Sequence, residues 1–164
     1  MVAGAGCVWP VGLCRPFDTP VGVAVARVRI ELPQSFRFTT EIQVRINDVN
    51  YGGHLGNDSL LSILQEARVR MLKDRGWSEL NVGGVGLIMS DAAVMYRSEA
   101  FHGDMLRIDL DTADFSSTGC DLLYRVTNAS TGKEVARAKT GITFFDYSTR
   151  KVVPVPAVFR EAFS

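Results

Sequence analysis

Residues 36–74 read FRFTTEIQVRINDVNYGGHLGNDSLLSILQEARVRMLKD, and two different hydrophobic periods meet within them. Apolar and polar residues alternate over 36–46, which predicts a half-buried strand. From Leu60 to Leu72 apolar residues recur every three or four positions, which predicts an amphipathic helix. Polar residues at 57–59 favour a helix start, and Gly76 favours its end. We therefore expect one helix over about residues 58–74, reached from a strand through a glycine-rich loop.

The sequence after this helix predicts mostly strands. Strands are expected over residues 86–97, 106–112, 120–126 and 134–146, and a short helix over 155–163. The apolar run at 86–97 is typical of a buried strand. Short turns join these strands and imply antiparallel pairing. The predicted fold is α+β, with a curved antiparallel sheet packed against one long central helix.

The first 34 residues differ in composition from the rest. They are rich in Val, Gly, Ala and Pro and carry only five charged residues. We interpret 1–34 as an N-terminal extension, poorly ordered up to about Pro20, with an edge strand over Val21–Ile30 as the alternative. Residues 35–164 form one domain. The extension only partly resembles an organellar presequence, so we expect a cytoplasmic protein, with organellar import as the alternative.

The composition argues against several classes of function. The chain has 164 residues, with 18 Lys and Arg against 18 Asp and Glu, so nucleic-acid binding by phosphate neutralisation is not expected. No apolar run approaches the roughly 18 residues of a membrane-spanning helix. Three Cys and two His at unrelated positions form neither a disulfide framework nor a metal-binding pattern. We expect no metal and no cofactor.

The loop over residues 50–56 can bring backbone amides close to a ligand. Its three glycines permit close approach and positive φ angles, and the helix start adds unpaired N–H groups and the positive end of a dipole. Such a cradle suits an oxygen that gains negative charge, such as the carbonyl oxygen of an ester or thioester under attack. The loop lacks the Lys of a phosphate-binding loop and the Ser of a hydrolase elbow. A plain tight turn is the structural alternative.

A resemblance makes this interpretation more specific. Residues 45–57, Arg-Ile-Asn-Asp-Val-Asn-Tyr-Gly-Gly-His-Leu-Gly-Asn, followed by Gln-Glu-Ala-Arg at 65–68, resemble the hot-dog-fold acyl-CoA thioesterases, in the branch related to 4-hydroxybenzoyl-CoA thioesterase. That family has an Asp-x-Asp-x-x-Gly-His-x-x-Asn segment and then a helix with Glu-Ala-Arg. The positions that match are Asp48, Gly53, His54, Asn57, Glu66, Ala67 and Arg68.

The resemblance covers about residues 36–162 and implies a hot-dog fold that hydrolyses an acyl-CoA substrate. It also implies a homodimer, or a homotetramer built as a dimer of dimers, with each active site between subunits. It implies catalytic roles for Asn50, Glu66, Asp48 and His54, and substrate contacts at Tyr51, Gly52, Gly53 and Asn57. The acyl chain would lie between the helix and the strand that carries Ile88, Met89 and Met95.

One position departs from the family pattern. The second Asp of the segment is Asn50 here, and a carboxamide cannot accept a proton from water. Asn50 can still orient the carbonyl or a water, which leaves Glu66 and Asp48 as candidate bases. Glu66 lies about 13 Å along the helix axis from Asn57. This is too far from the start of its own helix, and the resemblance implies that Glu66 serves the neighbouring subunit's site.

Each candidate residue also has a structural alternative. These alternatives are Asp48 bonded to loop amides, Asn57 as the helix cap, His54 packed within the loop, Glu66 paired with Arg70, and Tyr51 packed at an interface. Arg68 and Arg70 either bind phosphate or remain in solvent.

Two further functions stay open beside hydrolysis. A non-catalytic hot-dog module that binds acyl thioesters or a protein partner is favoured by Asn50. Enoyl-CoA hydration would use an Asp and a His, but Asp48 and His54 lie six residues apart in a different context.

Overall fold

The computed structural model describes residues 27–163. These residues form β1 (Phe38–Gln43), α1 (Asn57–Asp74), β2 (Gly86–Tyr96), β3 (Met105–Ala113), β4 (Gly119–Asn128), β5 (Glu134–Asp146), β6 (Lys151–Val152) and α2 (Ala157–Phe163). The predicted extension over 1–34 lies mostly outside the described residues. Of the alternative strand over Val21–Ile30, the described part at 27–30 forms no strand.

The sheet is antiparallel, with the strand order β1-β3-β4-β5-β2 and with β6 paired to the end of β5. The predicted α+β fold with one long central helix is confirmed. The helix α1 connects β1 at one edge to β2 at the other. Five strands span about 19 Å between the outermost two, and an 18-residue helix is about 27 Å long. The helix is therefore long enough to cross the whole sheet.

The core lies between α1 and the sheet. The buried apolar residues of α1 are Leu60, Ile63, Leu64, Ala67, Met71 and Leu72. They belong to one apolar cluster with buried strand residues, among them Leu106, Leu110 and Tyr124. Full burial of a large apolar side chain contributes roughly 1.5–3 kcal/mol, so this layer fixes α1 on the sheet. Cys120 is buried in the same core, and burial raises the pKa of its thiol to about 12.

Two local predictions are wrong. The strand β2 is not buried along its length: it lies at the sheet edge, and its residues 89–92 are exposed. An apolar run does not distinguish a buried strand from an edge strand that another chain can cover. The helix cap is Gly56 rather than Asn57, and it forms no side-chain cap bond. The amide of Gly56 instead donates to the Asp48 carbonyl at 2.8 Å, which fixes where α1 begins.

The other end of α1 follows the prediction. The helix ends at Asp74, and Gly76 adopts a φ of +73°, a conformation that favours glycine. Among residues 27–163, no helix has the length and apolar character needed to cross a membrane.

Candidate active site

A cavity of about 240 Å³ lies at the N-terminal end of α1. Its walls come from the end of the glycine loop, the first turn of α1 and the connection that follows β2. The residues that line it include His54, Gly56, Asn57, Tyr96, Arg97 and Glu99. Of the predicted site residues, His54 and Asn57 therefore line this cavity.

Backbone hydrogen bonds hold the walls of the cavity together. The Leu55 amide donates to the Ala100 carbonyl at 2.8 Å, which joins the glycine loop to the connection after β2. The Asn50 amide donates to the His54 carbonyl at 2.9 Å and closes the loop on itself. Ala100 is almost fully buried. The positions of the loop and of this connection are thus fixed relative to each other.

Several backbone amides at the cavity have no protein acceptor. Within residues 27–163, the amide of His54 and those of residues 57–59 in the first turn of α1 donate to no acceptor. By contrast, the Gly52 amide donates to Asn50 Oδ1 at 2.8 Å, and the Gly53 amide donates to the Asn50 carbonyl at 3.0 Å. The expectation that Gly53 offers a free amide is therefore wrong, because the turn itself uses that group.

Asn50 organises the loop and lies against His54. Its Nδ2 is 3.5 Å from His54 Nδ1, and the same ring nitrogen is 3.2 Å from the Leu55 carbonyl. We assign the proton to Nδ1, because it then donates to that carbonyl and leaves Nε2 as an acceptor. A Cβ on Gly52 would lie only 3.1 Å from Nε2. Glycine at this position therefore lets the imidazole pack against the loop.

Asp48 is buried and paired with Arg45. Its Oδ2 accepts hydrogen bonds from the Arg45 amide at 2.8 Å and from Arg45 Nε at 3.1 Å, and Oδ1 lies 3.1 Å from Nη2. These bonds lower the pKa of Asp48, the side-chain bond having the largest effect. Asp48 does not line the cavity. This arrangement favours a structural role for Asp48, but its carboxylate bonds Arg45 before the loop rather than the loop amides of the predicted alternative.

Glu66 lies on a different face of α1, away from the cavity. Its Oε1 accepts a hydrogen bond from Arg70 Nε at 2.7 Å, and both residues line a separate groove with Arg45. Arg68 is buried, and its Nε donates to Glu79 at 2.7 Å. The expectation that Arg68 binds phosphate or remains in solvent is therefore wrong.

Residues 27–163 of one chain do not form the expected acyl tunnel at this cavity. Ile88, Met89 and Met95 do not line the cavity, and Met89 is exposed at the sheet edge. Tyr51 is fully exposed and contributes no wall to this cavity, which favours interface packing over the pocket-wall alternative.

Two cavity residues were missed by the sequence analysis. Tyr96 Oη donates to the Asn57 carbonyl at 3.2 Å, and partial burial, with the nearby Asp58 carboxylate, raises the pKa of its phenol. Glu99 is exposed and, among the described residues, forms no ion pair and accepts no hydrogen bond. The only sequence signal for these two residues is that polar residues follow directly after a predicted strand. This pattern does not show that the segment lies next to the start of α1 in the fold.

Within the part of the chain that the structure describes, no group of three His, Cys, Asp or Glu residues is placed to hold a metal ion.

Comparisons with known proteins agree with this architecture. The family model of the thioesterase-like superfamily matches residues 44–163. A 1,4-dihydroxy-2-naphthoyl-CoA thioesterase from Synechocystis is 26% identical, with a TM-score of 0.69 over 76% of this chain and 93% of that chain. A probable thioesterase from Escherichia coli is 24% identical, with a TM-score of 0.65 over 75% and 93%.

A third solved structure contains a ligand. It is a thioesterase from Thermus thermophilus complexed with coenzyme A and Zn, 20% identical, with a TM-score of 0.66 over 77% of this chain and 97% of that chain. No curated protein matches the sequence. The family match and the thioesterase neighbours together support thioester hydrolysis as the general activity. With the matched region covering most of the described residues, the chain belongs to the thioesterase-like superfamily and has its hot-dog fold.

Proposed function

We propose that the chain hydrolyses the thioester of an acyl-CoA in the cavity at the start of α1. The observation that carries this proposal is the group of unengaged amides at His54 and residues 57–59, of which His54 and Asn57 line the cavity. An amide that already donates within the protein is not available to a substrate oxygen, whereas these are. The positive end of the α1 dipole lies at the same place.

In the proposed reaction, the thioester carbonyl oxygen accepts hydrogen bonds from these amides. Water attacks the carbonyl carbon, and the amides stabilise the negative charge that develops on the oxygen. The intermediate then collapses, the C–S bond breaks, and CoA and the free acid leave. Loss of one such donor in other enzymes costs about 3–4 kcal/mol of transition-state stabilisation. These amides can therefore account for a large part of the rate enhancement.

The CoA carrier brings phosphates that require cations near the cavity. Arg97 lines the cavity, and its side chain is partly exposed while it lies 3.5 Å from Glu134. We place the phosphates on this side of the cavity. Asn50 and Gly52 act indirectly in this scheme, because they set the position of the His54 ring.

We infer that a second copy of the chain completes the site. Ligand pockets usually enclose about 300–1,000 Å³, and the cavity of one chain is smaller, at about 240 Å³. The edge strand β2 has 11 residues, and its outer side pairs with no strand among the described residues. An unpaired edge of this length is a template for another chain. A homodimer, or a dimer of dimers, would place Tyr51 and Met89 against a partner.

A non-catalytic module is the alternative function, favoured by the Asn50 carboxamide. It predicts that the protein binds acyl-CoA and releases no thiol over hours, and that an Asn50→Asp variant gains activity.

The test of the proposed function is thiol release from acetyl-, octanoyl-, palmitoyl- and benzoyl-CoA by the full chain. We expect release from at least one of these substrates. An Asn57→Trp variant places a large ring at the exposed, cavity-lining start of α1, and kcat/KM should fall at least 10-fold. The matched control, Asp74→Trp, places the same ring at the exposed far end of α1 and should retain activity. No release by the wild type, or equal effects of the two variants, would contradict the proposal.

A further inference from the structure

The proposed hydrolysis needs a base for the attacking water, and the glycine loop does not supply one. Asn50 is a carboxamide, which cannot take up the proton. Both oxygens of Asp48 accept hydrogen bonds from Arg45. Glu66 pairs with Arg70 and does not line the cavity. Within one chain, both carboxylates expected from the sequence are therefore engaged by arginines. The prediction that Glu66 serves a neighbouring subunit's site stays a prediction.

One acidic residue does line the cavity. Among residues 27–163, Glu99 is the only Asp or Glu in the cavity wall, which it shares with His54 and Asn57. The nearest cation in sequence, Arg97, pairs with Glu134 at 3.5 Å instead. Glu99 has no ion pair of its own among these residues, so its carboxylate is not neutralised by the protein. An exposed carboxylate with no partner is chemically available to a water molecule.

The backbone around Glu99 is held in place on both sides. The adjacent Ala100 is buried, and its carbonyl accepts the Leu55 amide at 2.8 Å. On the other side, Tyr96 Oη donates to the Asn57 carbonyl at 3.2 Å. These two contacts bind the Glu99 segment to both sources of the unengaged amides, the loop and the first turn of α1. Fixed relative positions of base and oxyanion donors are what an acyl-transfer site requires.

We propose that Glu99 is the general base of the thioester hydrolysis, an inference that rests on the proposed function. Glu99 accepts a proton from the water as the water oxygen bonds to the carbonyl carbon. The amides hold the resulting oxyanion. When the C–S bond breaks, the thiolate leaves with the electron pair and takes the proton from Glu99, which regenerates the carboxylate. The products are CoA thiol and the acid, and no co-reactant is needed.

Other titratable groups near this site could also change the pH dependence of the reaction, and their effects must be distinguished from that of Glu99. They are His54 from the loop, Asp58 from α1, Tyr96 and Arg97 from the end of β2 and the residue after it, and Glu134 from β5. The charge of Asp58 acts on Tyr96, but Asp58 does not line the cavity. A change in pH dependence therefore has to be tied to Glu99 by substitution.

The test uses the full chain, the acyl-CoA that the wild type turns over fastest, and the variant Glu99→Gln. General-base contributions are typically 10²–10⁴-fold, so we expect kcat to fall about 100-fold or more with KM changed less than about 3-fold. The acidic limb of the wild-type pH–kcat profile should disappear. A matched control, Glu161→Gln, makes the same chemical change at an exposed residue of α2 and should leave kcat unchanged.

A second variant guards against a purely structural effect. Glu99→Ala should be inactive and should regain turnover when formate is added, because a small carboxylate can occupy the space of the missing one. A structural role would not be restored by formate. Retention of kcat in Glu99→Gln would overturn the assignment, and so would a loss of kcat in Glu66→Gln as large as that in Glu99→Gln. Failure of the wild type to release thiol from any substrate would instead reject the proposed function together with it.

Discussion

The two ends of α1 have opposite surroundings. At its C-terminal end, the ring of Phe159 lies 5.9 Å from that of Trp77, 4.8 Å from that of Phe163 and 5.0 Å from that of Phe144. At its N-terminal end, amides without acceptors border a cavity, and the unpaired Glu99 lines the same cavity. Aromatic pairs contribute about 0.5–1.5 kcal/mol each beyond their burial, whereas polar groups without partners contribute no such stabilisation.

This difference separates stability from function along a single helix. The rings at the aromatic end are packed against one another. The open end leaves donors and a carboxylate without protein partners at a cavity, where a bound ligand can engage them. Substitutions at the two ends should therefore affect different measurements.

The largest expected effect on stability is at the aromatic end. Phe159→Ala removes a ring that is fully buried and should lower the free energy of unfolding by about 3–5 kcal/mol. The specific activity of the folded fraction should be unchanged well below the unfolding temperature. Denaturant unfolding and thiol release on the same preparation check both points. A milder Phe159→Leu variant keeps the test valid if the Ala variant does not fold. A loss of specific activity in the folded fraction would contradict the separation of a stabilising end of α1 from a functional one.

Asp48 should be the main stabilising contact at the open end. Asp48→Asn removes charge-assisted bonds between a buried carboxylate and the exposed Arg45 and should lower the free energy of unfolding by about 1–3 kcal/mol. The pKa of Asp48 is lowered from 3.8 in the folded chain. Its contribution is therefore fully present above the unfolded pKa and is lost as the pH falls through the folded one. The difference between wild type and variant should shrink below about pH 4; a constant difference would contradict this account.

Gly52→Ala should change activity more than stability. The added Cβ would lie 3.1 Å from His54 Nε2 and 3.1 Å from Asn50 Oδ1, so the imidazole must move at the cavity wall. We expect a fall in kcat/KM of about 10-fold, equivalent to about 1.4 kcal/mol, and a change in melting temperature of only a few degrees. Steady-state kinetics and thermal unfolding measure these quantities. An unchanged kcat/KM would show that the position of the ring does not matter.

The smallest expected effect lies between the two ends. Glu66 and Arg70 form an i,i+4 pair with partly exposed side chains, and such pairs contribute about 0.3–0.5 kcal/mol. Glu66→Gln should lower the free energy of unfolding by no more than this, and the loss should vanish at high salt. If urea unfolding shows that Glu66→Gln lowers the free energy of unfolding by more than about 1 kcal/mol, the middle of α1 contributes more to stability than this account predicts.

Much of the fold was predictable because it depends on local periodicity. The alternation before the loop and the three-to-four spacing after it are set by residues near in sequence, so β1 and α1 lie close to their expected positions. The strand β5 spans the predicted residues 134–146. The burial of β2 was not predictable, since an apolar run has the same pattern at a sheet edge as at its centre.

The candidate site was less predictable than the fold, because it depends on contacts distant in sequence. His54 and Asn57 were identified from the glycine loop, which is local. Glu99 is brought to the cavity by contacts distant in sequence, such as the bond between Leu55 and Ala100, 45 residues apart. The engagement of Asp48 and Glu66 by arginines also depends on side-chain geometry that spacing alone leaves open.

The central claim is that the unengaged amides at the start of α1 bind the substrate carbonyl. The most direct test is an amide NMR titration of the full chain with an acyl-CoA analogue in which a methylene replaces the thioester sulfur, so that the carbonyl remains and hydrolysis is impossible. We predict downfield proton shifts at the amide of His54 and within residues 57–59, with no change at the Trp77 amide beyond the other end of α1. Saturable binding that leaves the amides of His54 and residues 57–59 unshifted would contradict the account.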